Sequence, residues 1–88
     1  MKMRTFKLRI STPDGDLFSG EAVKITLRGA EGDLAVLKDH IPFVTSVMPG
    51  KCVVTLQSGE EKAGKTDGGL LTVSKDIVTL LSGSFTWQ

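Results

Sequence analysis

The residues best equipped for chemistry in this chain crowd into one stretch, GAEGDLAVLKDHIP from Gly29 to Pro42. It holds Glu31, Asp33, Lys38, Asp39 and the only histidine, His40. Carboxylates beside an imidazole are metal-ligand types, and a loop can bring three of them together. The spacing of Glu31, Asp33, Asp39 and His40 nonetheless matches no recognised ligand pattern. Nucleophilic catalysis needs a Ser, Thr or Cys beside a base that a third group orients. His40 is the one candidate base, and Asp39 points away from it if the segment is extended. Cys52, between Lys51 and Val53 in an apolar run, reads as a small buried hydrophobe. Gly68-Gly69 lacks the following Lys-Ser/Thr or helix of a phosphate-cradling loop, and Glu60-Glu61 reads as a solvated hairpin tip. Three readings of the stretch remain: a metal site, a solvated loop without a partner, and a docking loop. Gly29 and Gly32 make the chain turn sharply twice and present Ala30-Glu31 at a tip, which favours docking.

The elements that must hold this stretch are strands. Phe6, Leu8 and Ile10 alternate with Lys7, Arg9 and Ser11, and Val23, Ile25 and Leu27 alternate with Lys24, Thr26 and Arg28. Pro13-Asp14-Gly15 and Pro49-Gly50 are turn chemistry. Leu17 to Gly20 reads as a short strand interrupted at Ser19-Gly20. Leu34 to Leu37, apolar on both sides, reads as a strand covered on both faces. Strands are also expected over Phe43–Met48 and Cys52–Gln57. Glu61–Thr66, broken by Gly64, suits an edge or a bulge. At Asp67-Gly68-Gly69 the backbone is expected to approach a neighbour closely. Ser74-Lys75-Asp76 joins Leu70–Val73 to Ile77–Leu81 as a tight hairpin, and Phe85 and Trp87 stand at strand spacing. No window shows helical periodicity. The expected class is all-β, a flattened antiparallel sandwich or barrel of about nine to ten short strands, forming one domain over residues 1–88.

Composition narrows the function. Eleven basic residues against ten acidic ones are scattered rather than gathered on one face, which argues against nucleic acid. One tryptophan and no tyrosine leave few platforms for stacking bases. A single cysteine excludes an intrachain disulfide and fits a reducing compartment. No segment approaches the roughly 20 apolar residues of a membrane span, so direct insertion is not expected. No cofactor motif is present.

TPDG, then LFSGEAVKITLRGAEGDLAVLKDHIPFVTSVMPG, then DGGLLTVSKDIVTLL, resembles the amino-terminal β-sandwich domain of the epsilon subunit of F-type ATP synthases. The family pattern reads approximately TP-x-G…FSG…V-x-L-P-G-x-E-G-x-L-G-I-L-P-G-H-x-P, then PG, then S-G-G-x-L-x-V…V-T-V-L. The likeness runs from about Phe6 to Leu81. It implies a non-catalytic rotor part at the foot of the central stalk, peripheral on the cytoplasmic face of the membrane, with the gamma subunit and the membrane ring as partners. The family's ring-contacting loop falls on Glu31, Gly32 and Asp33, and its H-x-P segment places His40 near the ring. Positions facing gamma fall on Thr12, Ile41, Val44 and Thr45, and Val44, Val47 and Met48 are expected on an apolar face packed against gamma. The chain departs from the pattern in carrying Lys38-Asp39 for the P-G before the histidine and Leu27-Arg28-Gly29 for L-P-G, both adding charge at the expected docking end. Asp67 replaces the serine of S-G-G. Members of the family usually continue into a two-helix hairpin. Two readings of the absent hairpin stand, a natural short form and a chain cut at the domain boundary, and the native-looking start and SGSFTWQ ending lean towards the first.

Overall fold

The structure is a computed structural model describing residues 4–39 and 41–88. The alternating segments become ten strands: β1 (Phe6–Thr12), β2 (Gly15–Ala22), β3 (Lys24–Gly29), β4 (Gly32–Leu37), β5 (Phe43–Val47), β6 (Gly50–Thr55), β7 (Glu61–Thr66), β8 (Gly69–Val73), β9 (Ile77–Ser82) and β10 (Phe85–Trp87). They pair in the order β10-β7-β6-β3-β5-β8-β9-β1-β2, with β4 added to the outside of β3. The sheet turns a corner and packs on itself, so the inward residues of each half meet in one core. Leu8, Ile10, Ile25, Leu27, Val36, Val54, Leu71 and Leu80 are all buried there. Burial of such apolar side chains supplies about 1.5–3 kcal/mol each.

Four expectations change. The pairing is not wholly antiparallel, because β1 runs parallel to β9, Leu8 beside Val78 and Ile10 beside Leu80. β2 is unbroken at Ser19-Gly20. Its irregularity lies where Ile10 pairs with Phe18 but Ser11 with Asp16, leaving Leu17 out of one-to-one register. β4 is not covered on both faces. Val36 is buried but Leu37 is exposed, and β4 pairs with β3 alone. β7 is no edge, since β10 pairs with its outer side through Phe85 opposite Thr66 and Trp87 opposite Gly64. Gly64 is there for space: a Cβ would lie 2.5 Å from Phe85 Cζ, so the ring occupies the room a side chain would take.

The corner is defined by one row that crosses several strands, in which Gly29 lies opposite Val47, Val47 opposite Gly69, and Gly69 opposite Ser82. Buried hydroxyls lock it. Thr66 Oγ1 and Ser82 Oγ are 2.6 Å apart, Ser82 Oγ donates to the Gly68 carbonyl, and Asp67 Oδ1 accepts from the Ser84 amide at 2.9 Å. Asp67 thus satisfies backbone that follows β9, a role its carboxylate fills well in place of serine.

The free ends of the sheet, β2 and β10, meet at a seam. Trp87 Nε1 donates to the Leu17 carbonyl at 3.1 Å, using a group that the bulge frees. The indole packs edge-on against Phe85 at 4.9 Å and Phe18 at 6.4 Å, with Lys62 Nζ 4.9 Å from its ring centre.

Candidate functional site

Gly29 lies opposite Gly32, so Ala30 and Glu31 form a two-residue hairpin tip between β3 and β4. The two glycines make one turn, not two. Gly32 has φ +125°, a conformation that favours glycine, whereas Gly29 is required by space, since a Cβ there would sit 2.6 Å from Leu34 Cδ2. Ala30, Glu31, Gly32 and Asp33 are all exposed. Asp33 Oδ1 lies 3.6 Å from Arg28 Nε across the hairpin, an exposed pair worth at most about 1 kcal/mol. The acidic tip therefore stands clear of the core, with Glu31 outermost.

β4 then carries the chain away from the tip. Leu37 lies opposite Lys24, at the far end of β3. The segment beginning at Lys38 is consequently about 20 Å from Gly32 at a rise of about 3.3 Å per residue. Asp39 is at that far end and pairs with Arg4. The carboxylates considered as a metal cluster are thus divided between opposite ends of one strand, with Asp33 and Asp39 each beside a different arginine. Asp39 is not extended either: its φ of 70° is left-handed, a conformation aspartate tolerates better than most residues. His40, the remaining member of the proposed cluster and of the ring-contacting set, lies outside the described residues. The two charged departures from the family pattern, at Arg28 and at Lys38-Asp39, likewise fall at opposite ends rather than together at one docking end.

The residues expected to face gamma do not form one patch. Thr12 closes the β1–β2 turn, where its Oγ1 donates to the Gly15 carbonyl and accepts from the Asp14 amide, both at 3.2 Å. Neighbouring Val44 and Thr45 point to opposite faces of β5. Val44 is 61% exposed, while Thr45 lies opposite buried Leu71 and borders the hollow beneath the hairpin tip. Ile41, leading into β5, is 75% exposed. Val47 belongs to the core, contrary to expectation, and Met48 is exposed. Beside Val44, the outer face of β8 and β9 carries Leu70 directly opposite Leu81, both exposed. The pairs Leu70-Leu71 and Leu80-Leu81 were the signal for these residues. In a strand only one of two adjacent leucines can face the core, so the other must face outward.

Cys52 is fully buried, and burial pushes its thiol up to about 12. A thiolate is the reactive form, so this cysteine is inert at neutral pH. An aromatic disulfide reagent at pH 8 is expected to leave Cys52 unlabelled in the folded protein and to titrate one thiol per chain in denaturant. Rapid labelling without denaturant would show that β6 is not packed as described.

The chain is thus a small all-β sandwich with a projecting acidic hairpin and an apolar outer sheet face. The chain belongs to the ATP synthase Delta/Epsilon chain beta-sandwich domain family, which it matches over residues 5–88. It is 37% identical over 79 residues to the ATP synthase epsilon chain of Xanthomonas campestris pv. campestris (strain B100), covering 90% of this chain and 56% of that one. The chain therefore spans a little over half the length of the relatives it matches. Its fold superposes on a chain of the Euglena gracilis mitochondrial ATP synthase OSCP/F1/c-ring structure with a TM-score of 0.89 at 21% identity, covering 99% of this chain and 56% of that one. A chain of the Tetrahymena thermophila mitochondrial ATP synthase central stalk/c-ring structure gives 0.78 at 16% identity, covering 97% and 68%. At those identities the likeness speaks for the fold. No helix among the described residues is long and apolar enough to cross a membrane.

Proposed function

We propose that this chain is a non-catalytic part of the central stalk of an ATP synthase, joining a gamma subunit to the membrane ring from a peripheral position. The family match across residues 5–88 carries this reading. The assemblies named for its structural neighbours, an F1/c-ring complex and a central stalk with its ring, agree with it. A part that passes torque must resist deformation, and a sheet packed on itself at interior density does so. In this role the hairpin tip, Glu31, Gly32 and Asp33, grips polar loops of the ring, with His40 assigned to the same contact. Carboxylates there take charge-assisted hydrogen bonds of about 1.5–3 kcal/mol each. Gamma covers the outer face carrying Val44, Leu70 and Leu81, together with Ile41, while Thr12 at the β1–β2 turn and Thr45 on the other side of β5 are assigned to separate contacts with it.

Reversing charge with Glu31→Lys plus Asp33→Lys in the assembled complex is expected to weaken ring attachment by about tenfold or more and to lower coupled ATP synthesis. The Tm of the isolated chain should move by no more than about 8 °C, because one exposed ion pair is lost and the new lysine at 33 faces Arg28 only at the exposed surface. Unchanged synthesis would refute ring docking through this tip, and a large fall in Tm would make these residues structural.

A further inference from the structure

The two outer faces treat their charges differently. On β1 and β2, Lys7 lies opposite Glu21, and Arg9 Nε is 3.1 Å from Asp16 Oδ2, so that face is internally balanced. On the outer face of β3, β6 and β7, Lys51 lies directly opposite Lys65, and Arg28 borders the same shallow depression as Lys51. Like charges directly opposed across a sheet are destabilising. Asp33 accompanies Arg28, but neither lysine has an ion-pair partner among the described residues. Beside this basic row runs a second one of small, half-buried residues, Ala35, Thr26, Val53 and Ala63, each opposite the next.

We propose that this face is a docking surface for an acidic amphipathic helix of a protein partner, beyond the ring and gamma contacts argued above. Charge complementarity selects the partner. Adjacent strands are about 4.8 Å apart, so Arg28, Lys51 and Lys65 present cations at that pitch, close to the roughly 5–6 Å between side chains four residues apart on a helix. The low, weakly polar band beside them receives the helix's small residues. A lipid headgroup or free phosphate satisfies the cations but has nothing to lay on that band. The Lys51–Lys65 opposition is then a stability cost retained for binding.

That trade-off is testable with Lys65→Glu, which turns the repulsive pair into an attractive one. The probe is a fluorescent helical peptide of repeated Glu-Ala-Ala-Ala units, titrated at low salt, with a Lys-Ala-Ala-Ala peptide and phosphatidylglycerol vesicles as comparisons. Lys65→Glu is expected to raise the Tm by about 2–6 °C while weakening the acidic peptide about tenfold. Lys75→Glu, in the β8–β9 turn, makes the same change in net charge and should leave binding within about twofold, since distant charges are screened. A lowered Tm for Lys65→Glu, equal loss of binding for Lys75→Glu, no binding by the unmodified chain, or stronger charge-dependent binding to the vesicles would each overturn the proposal.

Discussion

Gly69→Ala is expected to cost about 3 kcal/mol or more, lowering the Tm by roughly 12–24 °C. A Cβ at this position would run into the carbonyl oxygen of Leu81 and lie 2.9 Å from its carbonyl carbon and 3.0 Å from Ser82 Cα. All three are backbone atoms of β9, which is held on one side by β8 and on the other by β1, so none can give way cheaply. A domain of this size has a net stability on the order of 5–10 kcal/mol, so the loss is a large share of the whole. Gly59→Ala is the informative contrast. Gly59 has φ +94° but nothing within 4 Å of its added Cβ, so only conformational strain of about 1–2 kcal/mol is expected. Thermal unfolding of the two variants separates crowding from strain, and similar values for both would mean that β8 and β9 are not so closely apposed.

Trp87→Ala should cost about 2–3 kcal/mol, below the range for a fully buried tryptophan because the indole is only half-buried. It removes the hydrogen bond to Leu17, the edge-on contacts with Phe85 and Phe18, and the face that Lys62 covers. Trp87→Phe keeps an aromatic ring and loses chiefly the hydrogen bond, about 0.5–1.5 kcal/mol. Because Trp87 is the only tryptophan, its emission in denaturant titrations reports directly on the seam. An unchanged unfolding midpoint for Trp87→Ala would show that the β2–β10 junction is held by something else.

These two positions show how far linear reading reaches. Asp67-Gly68-Gly69 announced a close backbone approach, and Gly68 at φ +105° against the Val47 carbonyl and Gly69 at φ +159° against Leu81 bear that out. Trp87 showed strand spacing but nothing about its partner, because Leu17 is 70 residues away. The acidic tip was legible for a local reason: Ala30 and Glu31 sit between glycines three positions apart, and a two-residue hairpin needs only neighbouring residues to form. Its separation from Asp39 follows from β4, which runs extended from Gly32, two residues earlier than the strand expected over Leu34 to Leu37, and so holds the two carboxylates apart.

By itself the sequence determined the alternation of the strands and where the chain turns, since alternation and turn chemistry are properties of adjacent residues. It also placed the chain's family through motifs that recur in order. Only the tertiary structure decided which leucine of each pair lies outside, that β1 runs parallel to β9, that β10 covers β7, and that Lys51 faces Lys65. Each of those depends on which distant strand becomes a neighbour. That choice is made by filling a shared core, and no local pattern encodes it.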